Sequence, residues 1–216
     1  MCLSLAAVRN PRIVAIEVGG SFDLTAKYLS AYGRSVQVMK FERQTPIAVN
    51  PYAEAYKALA LIEAEESMIF REPTSDFLEK RSQKLQQEIE MVIATRVMMT
   101  QGNANEEAKM DPTDLSLITR ALIDAMKRCK RKEAEQVLLS DVIDSMEQLA
   151  HKEKNSDLQN RLKQFALRLE YYTSGLRGQF INRPSKPLQD FDFLHIDFGF
   201  MQNESYKDLM NIVCIS

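Results

Sequence analysis

The chain has no tryptophan, only seven glycines and seven prolines among 216 residues, and no apolar run near the roughly 18 residues needed to cross a bilayer. The scarcity of glycine and proline argues against a collagen-like or low-complexity chain and points to a helix-rich soluble protein. The opening "MCLSLAAVRNPR" lacks the charged start of a secretory signal. Any work at a membrane is therefore expected to go through partners. Lys and Arg total 28 against 30 Asp and Glu, a formal charge of −2, so no basic excess exists to hold a nucleic-acid backbone. Cys2, Cys129 and Cys214 are far apart, show no CxxC spacing and leave one unpaired in any disulfide scheme, which suits a reducing, cytoplasmic compartment.

The string GxxxxGK[ST] occurs nowhere in the chain. That removes the flexible frame, the lysine and the magnesium-binding hydroxyl of a Walker loop. GxGxxG is missing too, since Gly19 and Gly20 are adjacent with no third glycine at the right distance. GxSxG is absent, and two histidines with three scattered cysteines make no familiar zinc spacing. Catalytic, cofactor-binding and metal-ligating residues are thus not identifiable by motif.

What the chain does have is ordered punctuation. "RIVAIEV" is a continuous apolar, β-branched run, as expected of a strand buried on both faces of a parallel sheet. Gly19-Gly20-Ser21 then reads as a tight strand-to-helix turn rather than a phosphate cradle. A helix is predicted over Phe22 to Tyr32, with Gly33 as its C-cap. "SVQVMKF" supplies a second strand through Val36, Val38 and Phe41, closed by Pro46 and Pro51. A strand, helix, strand unit predicts two parallel neighbours joined by a crossover.

From about Ala53 the apolar period changes from two to about three and a half. One helix is predicted in "TSDFLEKRSQKLQQEIEMVIATRVMM", with Asp76 and Glu79 at its start and Leu78, Leu85, Ile89, Val92 and Val97 on one face, ending in a turn around "TQGNANEEAK". Asp111 and Pro112 give the clearest helix start, with Leu115, Ile118, Leu122, Met126 and Cys129 as the buried stripe. The basic run Lys127 to Lys132 at that helix's end reads as a solvated face favoured by the helix dipole, and direct nucleic-acid binding through it is the weaker reading. "SDVIDSMEQLAH" and "SDLQNRLKQFALRLEYYTSG" predict two more helices, the second with a capping box from Ser156 to Gln159 and a stop at Gly175. A loop "GLRGQFINRPSKPLQ" leads to a strand in "DFDFLHIDFGF", and Asn203 is a cap candidate in the last stretch.

Glu17 and Asp197 each sit near the carboxyl end of a predicted strand, where open α/β sheets build their sites. There a carboxylate could steady a magnesium-bound water or relay a proton, but neither has a partner visible in the sequence. His151 reads as an exposed polar residue, His195 as a hydrogen-bonded structural histidine and Cys129 as core. The methionines need no role beyond packing.

The order of these pieces resembles the conjugative transfer ATPases of type IV secretion systems, the TraC-like proteins, in their integrative-conjugative-element branch. The resembling stretches are "PRIVAIEVGGSFDLTAKYLSAYG", "VNPY", "QEIEMVIATRVMMTQGNANEEAKM", "LITRALIDA", "LLSDVIDSMEQLA", "YTSGLRGQFINRPSKP" and "FDFLHIDFGFM". They run in the family's order over nearly the whole chain. The resemblance implies an α/β fold, a partial RecA-like parallel sheet with a large all-α insertion. Residues 1–52 would be the first part of the RecA-like domain, lacking Walker A; 53–180 the helical insertion; and 181–216 the return to the sheet, ending before Walker B. Met1 to Arg9 resembles the tail of the Walker A helix, and Ile212 to Ser216 stops short of Walker B.

In that family ATP and magnesium are used by hexamers at the cytoplasmic face of the inner membrane. Here the resemblance implies a truncated or split motor fragment of a P-loop NTPase, unable to hydrolyse ATP alone and binding no cofactor by itself. Its expected partners are the type IV secretion or conjugation machinery involved in DNA transfer, with a full-length ATPase hexamer among them. The family-motif positions near the nucleotide side are Glu17, Gly19, Gly20, Ser21, Asp197 and Gly199. The alternative is a non-enzymatic helical module that binds a conjugation or secretion partner.

Overall fold

The structure, a computed structural model, describes residues 12–41, 47–67, 90–101, 103–185 and 191–199. The expected features at Cys2, Pro46, Asp76, Leu78, Glu79, Leu85, Ile89, Asn203 and Cys214, and the two chain ends, lie outside these residues. The described residues fall into two compact units, one running up to Ile47 and resuming after Lys186, the other running from Ala48 to Ser185.

The first unit is α/β. Strand β1 (Ile13–Glu17) leads through the glycine turn into helix α1 (Asp23–Ala31), which is followed by β2 (Val36–Lys40). The third strand, β3 (Phe193–Asp197), comes from the far end of the chain. It pairs in parallel with both others, so the sheet order among the described residues is β1-β3-β2. This corrects the expectation that β1 and β2 are neighbours: β3 lies between them. Local sequence carries no signal for a strand that inserts from so far along the chain.

The α1 side of the sheet has a small core of Ala15, Ala26, Leu29 and Phe193, with Ile13, Phe22 and Val36 packed against it. Gly33, with φ of 78°, follows the helix as expected of a C-cap glycine. Its N–H reaches Ser30 O at 3.0 Å and that of Arg34 reaches Leu29 O at 3.1 Å, which satisfies carbonyls at the helix end. Strand β1 is not covered on both sides. Val14 is 59% exposed and Ile16 42% exposed, so its outer face is open.

The second unit is all helical among the described residues. Its helices are α2 (Ala55–Ser67), α3 (90–100), α4 (Ala104–Glu107), α5 (Pro112–Arg131), α6 (Leu139–Lys152), α7 (Ser156–Glu170) and α8 (Gly175–Ile181). Asp111 caps α5 in a reciprocal box with Asp114: each carboxylate accepts from the other's backbone N–H, at 2.9 and 3.0 Å. Arg161 of α7 binds both acids at 2.8 Å. Its hydrogen bond is the main reason the Asp111 carboxyl is held down at about 2.

Several helical details differ from expectation. In α5 the inward stripe is wider than expected, with Leu117, Ala121 and Ala125 also buried, while Leu115, at the helix's first turn, is only half-buried. In α3 Val97 is buried but Val92 is half-buried. Asn155, not Ser156, caps α7, its side chain accepting from Asp157 N at 2.9 Å. Helix α7 ends at Glu170, and Gly175 opens α8 inside the stretch expected to be loop. The reason is packing: a Cβ at Gly178 would lie 2.3 Å from Thr173 O, so this turn of helix forms only around a glycine. A four-residue helix, α4, also lies in the stretch expected as a turn, capped by Asn103.

Candidate functional site

Parallel pairing puts the carboxyl ends of all three strands together. The register aligns Glu17 with Asp197 and Asp197 with Lys40. Because side chains alternate along a strand, these three charged residues share one sheet face. His195, two residues before Asp197, lies on that same face and is fully buried. The sheet thus ends in an acid, an acid and a base, with an imidazole one pleat below.

The turn after β1 folds back onto these acids. Gly19 and Gly20 take φ of 121° and 76°, a region that L side chains rarely adopt. This reversal lets Ser21 N and Phe22 N donate to the Glu17 carboxylate at 2.9 and 2.8 Å. The Ser21 hydroxyl donates to it as well. His195 Nε2 closes the set, 2.7 Å from Glu17 Oε1. Burial pushes the Glu17 carboxyl upward, but the hydrogen bonds from Ser21, Phe22 and His195 outweigh it and hold the group down at about 2.

Asp197 is arranged in the same way. Its Oδ1 accepts from Gly19 N at 3.1 Å and from Gly199 N at 2.8 Å. A Cβ at Gly199 would lie 3.2 Å from that oxygen, a tight approach that the Asp197 carboxylate would have to give way to by a few tenths of an ångström. Asp23, the first residue of α1, binds Lys40 through Oδ2. Its Oδ1 faces His195 Nδ1 at 3.5 Å.

The structure therefore brings together Glu17, Gly19, Gly20, Ser21, Asp197 and Gly199, the residues singled out from the sequence. It also supplies the partners that the sequence did not reveal, and adds His195, Asp23 and Lys40. A signal for the first two additions did exist: His195 shares strand parity with Asp197, and Asp23 follows the glycine turn. Their meeting depends on a strand pairing that sequence pattern does not specify.

Three of the turn's backbone donors already serve the chain's own carboxylates, and Glu17, Asp197 and Asp23 make the surroundings acidic. The described residues do not fit a phosphate, whose cradle needs inward N–H groups left open and a favourable positive potential. Among the described residues, no group of three His, Cys, Asp or Glu is placed to hold a metal ion.

The remaining candidates lie elsewhere. His151 is exposed near the end of α6. Cys129 is buried, and burial is the main cause that pushes its thiol up to about 11, which makes it unreactive. In the basic run, Arg128 donates to Asp141 O at 3.0 Å and Lys130 pairs with Glu63 at 2.6 Å, so both serve contacts within the helical unit. Among the described residues, no helix is long and apolar enough to cross a membrane.

The chain matches no protein-family model and no curated protein. It does match a solved structure, that of VirB4 of Thermoanaerobacter pseudethanolicus, over 97% of this chain and 70% of that one, with a TM-score of 0.52 and 13% identity. At that identity the likeness is one of fold: a mixed α/β chain in which a partial RecA-like parallel sheet is interrupted by a large all-helical insertion.

Proposed function

We propose that this chain forms part of a type IV secretion motor of the conjugative-transfer kind, TraC-like, and that these 216 residues alone do not hydrolyse ATP. The observation that supports this reading is the fold shared with VirB4 along 97% of the chain, helical insertion included. In such a motor the gathered strand ends, with Glu17, Gly19, Gly20, Ser21, Asp197 and Gly199, would face the nucleotide side. ATP and magnesium would be held by Walker residues that these 216 do not include. This chain's part is to order the neighbouring turn. It would work on the cytoplasmic face of the inner membrane, reaching the membrane through secretion partners.

A purified chain should show no ATP turnover above a mock preparation from the same host. Robust turnover that survives further purification would overturn the reading. Co-expression with a complete transfer ATPase distinguishes the non-enzymatic alternative. A stable complex that leaves that enzyme's own turnover intact would favour the interaction module, which the separately buried core of the helical unit supports.

A further inference from the structure

His195 is the least expected member of the strand-end cluster, because it is 0% exposed and both ring nitrogens face carboxylates. Nε2 lies 2.7 Å from Glu17 Oε1. Glu17 takes three further donors, from Ser21 N, Ser21 Oγ and Phe22 N, the pattern of an ionised, acceptor-only carboxylate. Nε2 must therefore carry a hydrogen. That choice fixes the other side of the ring.

In a neutral ring protonated at Nε2, Nδ1 is a bare lone pair. Here it points at Asp23 Oδ1 from 3.5 Å, and both atoms are buried without a hydrogen-bond partner. Two desolvated acceptors facing each other leave both unsatisfied, an arrangement that costs stability. Asp23 Oδ2 accepts from Lys40, the pattern of an acceptor-only carboxylate, so Asp23 is not the natural source of the missing hydrogen. Asp197, on the same face of β3, directs Oδ1 to Gly19 N and Gly199 N. The Phe22 ring, 6.1 Å away between centroids, closes the side with apolar surface. The charged groups around the imidazole are thus Glu17 from β1, Asp23 from α1, Lys40 from β2 through Asp23, and Asp197 from its own strand. One added proton on Nδ1 converts the repulsive contact into an attractive pairing of opposite charges across 3.5 Å.

We propose that His195 is a buried imidazolium and the positioning residue of the strand-end site, holding Glu17 through Nε2 and Asp23 through Nδ1. It ties the Gly19–Ser21 turn and the first turn of α1 to the central strand. The assignment concerns this chain's own geometry and stands whether or not the strand ends serve a nucleotide.

The chain has only two histidines, and His151 is exposed, which makes the test direct. In the nitrogen-15-labelled 216-residue chain at neutral pH, His195 should give two slowly exchanging ring N–H correlations, while the ring protons of His151 exchange with water. His195→Gln identifies them by their loss. In Asp23→Asn the Nδ1 correlation should disappear and the Nε2 correlation remain. One ring N–H from His195, or none, in the wild-type protein overturns the proposal without reference to any variant. So does an Asp23→Asn protein that keeps both. None of these readings depends on ATP turnover, so the fate of this inference is separate from that of the motor.

Discussion

The two units of this chain are stabilised by different means. In the helical unit, α5, α6 and α7 bury apolar stripes so fully that Ile118, Leu139, Met146 and Leu169 have no exposed surface. In the α/β unit, Val14, Ile16 and Val18 of the first strand and its turn are 59%, 42% and 47% exposed. What orders that unit's strand ends is polar: Glu17, His195, Asp23, Lys40 and Asp197, joined across three strands and one helix. The helical unit depends on area removed from water, and the strand ends depend on charge and hydrogen-bond geometry. The two should fail under different stresses.

The buried helical stripes should be the most sensitive to loss of packing. Leu169→Ala in α7 removes a fully buried side chain and should cost about 2–5 kcal/mol in urea unfolding followed by helical circular dichroism. A loss below about 1 kcal/mol would show that the helices collapse readily around the cavity and that close packing is not what holds this unit. Acid tests the other half. Glu17 is held at about 2 against an ordinary 4.5, so its contribution is present above 4.5 and is lost as pH falls towards 2. Across that window the Ser21 and Phe22 amides should lose protection from hydrogen exchange, and Glu17→Gln should remove the pH dependence. Asp111 is also held low, at about 2, chiefly by its hydrogen bond from Arg161, so it caps α5 and ties its start to α7 rather than joining three strands. Acid loosening at Asp111 should therefore stay at the start of α5 and its contact with α7. A smaller effect is expected at Asn155, the side-chain cap of α7: Asn155→Ala should cost about 1 kcal/mol in the same urea measurement. A neutral result would mean that the contact with Asp157 N forms equally well to water.

What could be read from the sequence was what neighbouring residues decide. The first helix, expected over Phe22 to Tyr32, spans Asp23–Ala31, and Asp111 with Pro112 opens α5 as its cap chemistry requires. Glu17 and Asp197 could be singled out because strand ends are recognisable by period. Three things could not be read. The position of β3 between β1 and β2 depends on pairing across most of the chain, and so does the contact of His195 with Glu17, 178 residues apart. Gly175 and Gly178 illustrate the third: glycine ends some helices and allows others to form against a close backbone, and only the position of Thr173 distinguishes these cases.

The apolar run of β1 satisfies the pattern of a doubly covered strand, yet Val14 and Ile16 remain in contact with solvent. If that face contributes nothing to the folding of this chain, Val14→Thr, which exchanges one methyl for a hydroxyl, should change stability by no more than about 0.5 kcal/mol. The same substitution in a covered strand would bury an unpaired hydroxyl and cost more, roughly 1–3 kcal/mol. Urea unfolding of the single variant thus measures whether the face is open in solution. A near-zero change together with weaker self-association in light scattering would identify Val14 as exposed apolar surface, while a cost well above 0.5 kcal/mol would show that the strand is covered on both sides after all.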